Sequence, residues 1–431
     1  MLNVTQNKLT ALLVLALILV PGLVMSDDSF RNEILERESD FKSKKVKSIG
    51  NTRIHADDYI FNLYKLNSYQ PLWGQSNTKA LIDAINNIDK DGLKPEDYLL
   101  AGKSGASQAR TVSEQVDRDM LLTESFLRAT YNLLVGKVDP ESLDSDFNFS
   151  RSLEGGKHSQ MLLDKIRQAE IEQAFDWARP AAPSYQRMKK ALEKYRGIQA
   201  SGGWQPISAG GTLKPGDQDP RVIMVKKRLM VSGDYENGGE ITPLFDEKLA
   251  DAVERFQTRY GLDTDRAVGK NTLAALNIPV AAKIDQIRVA LERQRWYLHE
   301  ARGEYMVVDI AGFKAYWVKD GKMTWEEDVQ VGKKYTNTPV FKDNMRYIEF
   351  NPTWTIPPGI MRRTILPNLK KDPEYLNKKG YLLLKQDGTQ VDPTSVDWVS
   401  ISRMPYIVRQ PPGENNALGL VKFMFPNKHA V

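Results

Sequence analysis

The residues that could carry out acid–base, nucleophilic or metal chemistry are few and widely spaced in this sequence. Its histidines are His55, His158, His299 and His429, and no two of them form an H-x-x-x-H pair. A zinc protease is therefore not indicated. The chain has no cysteine, which excludes disulfides, thiolate zinc sites and thiol catalysis by these residues. No G-x-S-x-G nucleophile elbow occurs either.

Two short segments resemble ligand-binding loops only in part. Residues 268–272 resemble a phosphate loop, but they lack the upstream glycine and a Ser or Thr directly after Lys270. Asp89 and Asp91 precede Gly92 without the other ligands of a calcium loop. The carboxylates form no recognisable catalytic pair. The residues alone therefore predict no metal, no cofactor and no particular reaction.

Length and composition limit the elements that could position a site. A chain of 431 residues is long enough for two or three domains. Its net charge is +5, and hydrophobic and charged residues make up 41% and 27% of it, which is ordinary for a globular protein. Such a modest charge does not indicate a nucleic-acid partner.

The N-terminus has the pattern of a targeting segment. Lys8 precedes an apolar run from Leu9 to Met25, and Asp27 and Asp28 follow it. This pattern resembles a secretory signal or a short membrane anchor with its positive end inside. Because no A-x-A cleavage site is evident, residues 1–26 are expected to be an uncleaved anchor, and the rest of the chain is expected to be exported. The alternative is a buried core helix.

The first half of the chain is expected to be helical after a polar tether over residues 27–56. Residues 57–200 carry apolar side chains at helical spacing and predict a helical domain. Residues 201–216 are rich in Gly, Ser and Pro and predict a linker. Residues 213–278 predict a small module of three short helices, in which Asp219 and Asp246 are N-caps.

After a bridging helix expected over residues 281–299, the sequence pattern changes from helical to strand-forming. Strands are predicted at 305–310, 313–318, 327–331 and 346–350. Residues 362–398 are lysine-rich and helix-forming, and they are interpreted as an insertion folded over the sheet. The predicted fold class is therefore multidomain α+β: a helical scaffold domain, a three-helix module and a β-rich domain at 303–431 that is incomplete.

Three sets of motifs carry a resemblance to one family. The set in the module is Phe245-Asp246, Ala252-Val253, Phe256-Gln257, Gly261-Leu262, Val268-Gly269 and Thr272. The set in the β-rich domain is Val331-Gly332-Lys333, Thr338-Pro339-Val340-Phe341, Phe350-Asn351-Pro352-Thr353-Trp354, Ile356-Pro357-Pro358, Ile365-Leu366-Pro367 and Asn416-Ala417-Leu418-Gly419. The helical segment adds Trp73, Asp91-Gly92-Leu93 and Asp97-Tyr98. In this order the segments resemble the scaffold domain, peptidoglycan-binding module and catalytic domain of the large murein L,D-transpeptidases of Gram-negative bacteria.

The resemblance implies a reaction at a cysteine thiolate and no cofactor or metal. The thiolate would attack a stem peptide, release the terminal D-alanine and pass the acyl group to an amine of a neighbouring stem. The implied partners are peptidoglycan stem peptides and glycan, together with the inner membrane through the N-terminal segment. The implied location is the periplasm, and a carbapenem would be an inhibitor only if a longer chain supplied the cysteine.

In the family, a His-Asp pair and then a Ser-x-Gly-Cys-x-Arg stretch follow the strand at which this sequence ends. His429 lies just before the expected histidine and is not assigned its role, so no catalytic residue is assigned at all. The resemblance leaves walls of a donor site: Trp354, Pro357 and Pro358 would line it, and Asn416 and Gly419 would shape a nearby loop. Each could instead be an ordinary turn or core residue.

Three hypotheses remain open. The chain is an L,D-transpeptidase truncated before its catalytic residues and inactive as given, or it is part of an intact enzyme. The third is a non-catalytic peptidoglycan-binding or scaffold protein. An evolved loss of activity would more often replace the cysteine and keep the strands, because removing strands leaves an unpaired sheet edge.

Overall fold

The computed structural model describes residues 27–43, 47–99, 109–143, 158–236, 240–299, 301, 303–333, 335 and 337–425. The expected N-terminal anchor and His429 lie outside these residues. Among the described residues, no helix is both long and apolar enough to cross a membrane. The described chain forms two units, one extending to Gln330 and the other beginning at Val331. The predicted α+β fold class is confirmed.

The first unit begins with a helical domain around a large apolar core. A short hairpin of β1 (Ser48–Ile49) and β2 (Thr52–Arg53) lies between its first two helices. The helices are α1 (Asp27–Ser43), α2 (Asp57–Leu66), α3 (Gln75–Asn87), α4 (Val112–Val135), α5 (Ser159–Arg167), α6 (Ile171–Ala178) and α7 (Pro183–Ala200). Thr111 is the N-cap of helix α4. Its hydroxyl accepts a hydrogen bond from Glu114 N at 3.2 Å, as N-capping requires.

The expected tether over residues 27–56 is wrong for most of its length, because α1 packs on the helical core. Phe30, Ile34 and Phe41 are buried, and their spacing places them on one face of the helix. The Phe41 ring meets the Phe61 ring of α2 edge-on at 5.7 Å. The many charged residues of this segment occupy the other face of the helix. They make its average composition polar, although one face is apolar.

A buried carboxylate fixes the loop between α2 and α3. Asp119 of α4 accepts hydrogen bonds from the Tyr64 hydroxyl at 2.8 Å and from the backbone N–H groups of Leu72 and Trp73 at 3.1 and 3.0 Å. The Trp73 indole donates to the Thr123 hydroxyl at 2.9 Å. The aromatic loop noted in the sequence is therefore anchored by α4.

A second buried carboxylate, Asp91, joins the helical domain to the helix that leaves it. Its side chain is completely buried and contacts Arg179 at 2.9 Å, Lys189 at 3.0 Å and the Tyr185 hydroxyl at 3.1 Å. Its backbone carbonyl accepts from Arg295 at 2.9 Å. Because Arg179 caps the C-terminus of α6 and Arg295 belongs to α11 (Val280–Tyr297), one residue connects the end of α6 with α7 and α11.

The module contains the three predicted helices, α8 (Pro220–Ser232), α9 (Glu247–Tyr260) and α10 (Lys270–Leu276). The predicted N-caps are confirmed: Asp219 accepts from Arg221 N and Asp246 from Leu249 N, both at 2.8 Å. Gln257 is completely buried, and its amide bonds Ala267 O at 2.9 Å and the Thr272 hydroxyl at 3.0 Å. These bonds give a structural reason for a polar residue in this core.

The Gly/Ser/Pro-rich segment 201–216 is held against the module and is not a free linker. The Trp204 indole donates to Ile278 O at 3.1 Å, and the buried Arg228 guanidinium lies 3.6 Å from the Trp204 ring centroid. Asn277 exchanges two hydrogen bonds of 2.8 Å with the backbone of Ile207. The segment thus has a defined path despite its composition.

The first unit ends in a three-stranded antiparallel sheet of β3 (Glu304–Asp309), β4 (Lys314–Lys319) and β5 (Lys322–Asp328). The predicted third strand at 327–331 is wrong in position. Asp320 and Gly321 both adopt positive φ and make a tight turn, so β5 begins directly after it.

The second unit contains two separate sheets. A ribbon pairs β6 (Tyr347–Phe350) with a strand over Val421–Met424, here β11. The other sheet has the order β7 (Trp354–Thr355), β10 (Ile407–Gln410), β8 (Leu382–Leu384) and β9 (Gln390–Val391). Short helices α12 (Pro358–Ile360), α13 (Leu366–Lys371) and α14 (Tyr375–Lys378) pack beside it.

The interpretation of residues 362–398 as a helical insertion over a sheet is therefore only partly correct. Within this range, β8 pairs with β10, and Leu369, Leu383 and Trp398 belong to the same buried core. The segment contributes β8 and β9 to the sheet of this unit and shares its core, because its leucines are buried between helix and strands while its lysines remain on the outside.

Replacing Asp91 by alanine should lower the opening free energy of α6, α7 and α11 by about 3–5 kcal/mol. The reason is that Arg179, whose side chain is 5% exposed, would keep a buried charge without its buried partner. Hydrogen exchange of the backbone amides in the full chain measures this free energy. Asp176→Ala is the control, because Asp176 pairs with the same guanidinium but is 67% exposed. Equal effects of the two substitutions would contradict the role given to Asp91.

Candidate functional site

The candidate site in the second unit is built where β7 and β10 pair and a loop over residues 411–420 begins. Gln410, the last residue of β10, lies opposite Trp354 in the antiparallel register. Trp354 is half-buried and packs against the core of the unit. The predicted site residues Trp354 and Asn416 are thus brought together through one strand pair and the loop that leaves it.

Asn416 is the residue that fixes the 411–420 loop. Its side chain is buried, with 7% exposed, and its amide donates to Pro411 O at 2.8 Å and to Pro352 O at 3.1 Å. Its side-chain oxygen accepts from Leu418 N at 2.8 Å. The loop is therefore attached both to itself and to the residues just before β7.

Gln410 is a second organising residue, and no sequence motif identifies it. Its amide nitrogen donates to Asn415 O at 2.8 Å, and its oxygen accepts from Ala417 N at 2.9 Å. A polar residue at the end of a strand is common on exposed surfaces. Only its burial, which depends on the fold of the loop, reveals its role.

Gly419 and Asn351 lie where the loop turns back into the ribbon. Gly419 has φ of 70°, a conformation that favours glycine, and Asn351 has φ of 51°. Asn351 N donates to Leu420 O at 2.8 Å. The turn residues expected from the sequence thus lie at one end of the β6–β11 ribbon, where Asn351 follows β6 and Gly419 precedes β11.

Pro357 and Pro358 are exposed and lie at the other end of β7, where α12 begins. Pro358 occupies the first helical position, at which a missing N–H is tolerated. The helical run then includes a π turn at Met361–Ile365 before Pro367. Because Pro367 cannot donate a helical hydrogen bond, a widened turn is the local response.

The described residues of this arrangement supply no evident nucleophile or proton carrier. The described part of the second unit contains neither histidine nor cysteine. No cluster of three or more His, Cys, Asp or Glu residues suitable for a metal was found among the described residues. The site has a half-buried indole, exposed proline rings and a loop with fixed backbone groups, which suit a peptide.

Three segments of the chain match family models. Residues 303–431 match the family model of the L,D-transpeptidase catalytic domain. This segment is therefore similar to an L,D-transpeptidase catalytic domain. The matched range includes every candidate residue of the site described above. Residues 58–192 match the model of a scaffold domain, and residues 218–276 match that of a "Putative peptidoglycan binding domain". The resemblance inferred from the motifs is confirmed.

A curated relative supports the same assignment for part of the chain. A Haemophilus influenzae protein named "Putative L,D-transpeptidase" is 34% identical over 145 residues. The aligned region covers 33% of this chain and 29% of the relative. The chain therefore spans less than a third of the length of the relative it matches. The contacts of Trp354, Pro357, Pro358, Asn416 and Gly419 with substrate remain a prediction.

Replacing Asn416 by alanine should release the 411–420 loop of the second unit without unfolding the sheet. The backbone amides of Leu418 and Gly419 should exchange at least about tenfold faster, because the bonds to Pro352, Pro411 and Leu418 are lost together. Hydrogen exchange measured by mass spectrometry reports the change. Asn415→Ala removes the neighbouring exposed amide and should leave exchange unaltered; a matching acceleration there would mean that Asn416 is not the anchor.

Proposed function

We propose that this protein is a peptidoglycan L,D-transpeptidase of cell-wall biogenesis that joins stem peptides through a cysteine acyl-enzyme. The observation that carries the proposal is the presence of a matched L,D-transpeptidase domain and a matched peptidoglycan-binding module in one chain. The loop held by Asn416 against the start of β7 supports it. Such a loop offers a wall that needs little reorganisation when a peptide binds.

In this proposal the thiolate attacks the carbonyl between the third and fourth residues of a donor stem. The peptide C–N bond breaks, the terminal D-alanine leaves with a proton on its nitrogen, and a thioester forms. An amine of a neighbouring stem then attacks the thioester, the C–S bond breaks and the cross-link forms. Trp354, Pro357 and Pro358 would hold the donor stem, while Asn416 and Gly419 keep the adjacent loop in place.

The cysteine of this mechanism is not among the 431 residues. We therefore expect these residues to bind peptidoglycan and to be inactive in cross-linking by themselves. The second candidate function is a non-catalytic peptidoglycan-binding scaffold, which the matched peptidoglycan-binding module supports. The two candidates differ in whether an in-frame coding sequence after Val431 supplies the missing His-Asp and Gly-Cys motifs.

The test compares the 431-residue chain with the product of any in-frame extension in the gene. The short chain should show no mass increase with a carbapenem and no cross-linked dimer from stem tetrapeptides. The extended chain should show both, and alanine in place of its cysteine should abolish both. A covalent adduct on the short chain would refute the proposed nucleophile. A stop codon directly after Val431 would favour the scaffold function.

The same proposal includes export of residues 27–431, with residues 1–26 as an anchor in the inner membrane. Its support is the apolar run between Lys8 and Asp27. A fusion of residues 1–60 to alkaline phosphatase, which is active only outside the cytoplasm, should give full activity in the membrane fraction. Aspartate at Leu13 and Leu17 should abolish that activity, while aspartate at Ser48 and Thr52 should not. An inactive parent fusion would contradict export.

A further inference from the structure

The peptidoglycan-binding module contains a cavity for which the comparisons name no ligand. Its volume is about 480 Å³, which lies within the range of small-molecule pockets. One wall is the segment 209–212, and the other is Val268 together with the first two turns of α10. Val268 also belongs to the buried core around Phe256, so the cavity is built on the core of the module.

The walls of this cavity are held in place before any ligand binds. The backbones of Leu213 and Val268 bond each other at 2.9 and 3.3 Å across its base. Arg221 donates twice to Gly211 O at 3.1 Å, and Asn277 clamps Ile207 at 2.8 Å. A preformed cavity loses little conformational entropy on binding.

The chemistry of the walls favours an extended peptide that carries a carboxylate. Among the described residues, none provides a hydrogen bond to the backbone of Ala209, Gly210 or Thr212, so this wall offers main-chain donors and acceptors to a ligand. The exposed ammonium of Lys270 has no ion-pair partner in the described chain, and no acidic residue lines the cavity. Leu273 and Ala274 supply an apolar surface.

We propose that this cavity binds a peptidoglycan stem peptide, with a peptide carboxylate on Lys270 and the peptide main chain along residues 209–212. The inference rests on peptidoglycan being the partner of the module, as proposed above. Stem peptides carry free carboxylates and short side chains, and these match the single cation and the small residues Gly210, Gly211 and Ala274. The residues of this site belong to the module and are not among those of the site built around Trp354.

The test is co-sedimentation of the full chain with purified sacculi. Ala274→Trp, which fills the cavity from an exposed position, should weaken binding by about tenfold. Lys270→Gln should weaken it several-fold at low salt, with a smaller effect at about 0.5 M salt, where charges are screened. The two control variants change exposed residues elsewhere on the module. Thr258→Trp also introduces a tryptophan, and Lys227→Gln also removes one positive charge. Both should bind within about twofold of the parent.

Sacculi stripped of stem peptides by an amidase separate the two components of the wall. The parent chain should bind them at least about tenfold more weakly than intact sacculi. Equal binding to both materials, or parent-like binding by Ala274→Trp and Lys270→Gln, would overturn this inference and leave the proposed function standing. A parent chain that does not sediment with intact sacculi would overturn the inference together with the peptidoglycan-binding part of the proposed function.

Discussion

The carboxylate of Asp91 is the constraint on which the first unit depends. It is completely buried and contacts two cationic side chains and a tyrosine hydroxyl. A buried charge is tolerated only when its partners satisfy it fully. Because those partners come from the residue that caps the C-terminus of α6 and from α7, and Arg295 of α11 bonds the Asp91 carbonyl, the three helices keep one relative position.

Local signals in the sequence predicted much of this unit. Asp219, Asp246 and Gly261 mark helix ends through hydrogen bonds and backbone conformations that involve only neighbouring residues. Such features need no knowledge of the fold. Helix α1 was missed, because three apolar residues among many charges acquire meaning only when α2 and α4 are present to cover them. The course of residues 201–216 was missed for the same reason, since its anchors Ile278 and Asn277 are distant in sequence.

In the candidate site, too, some residues could be predicted from the sequence and others only from the fold. Trp354, Pro357 and Pro358 came from motif resemblance, and the structure places them along one strand and the helix start after it. Asn416 was predicted to shape a loop, and its bonds to Pro352 and Pro411 explain how it does so. Gln410 could not be predicted, because its role requires the pairing of β10 with β7 and the return of the loop onto its side chain.

The attachment of residues 201–216 to the module has a thermodynamic consequence. Lys194 of α7 donates to Ser232 O at 3.1 Å, and Tyr195 of the same helix meets the Trp204 ring at 6.3 Å. Trp204 in turn stacks on Arg228 of α8. Local opening of α7 and local opening of the module are therefore linked equilibria. Any ligand that binds only the folded module also stabilises α7 by mass action, at a distance from its own contacts.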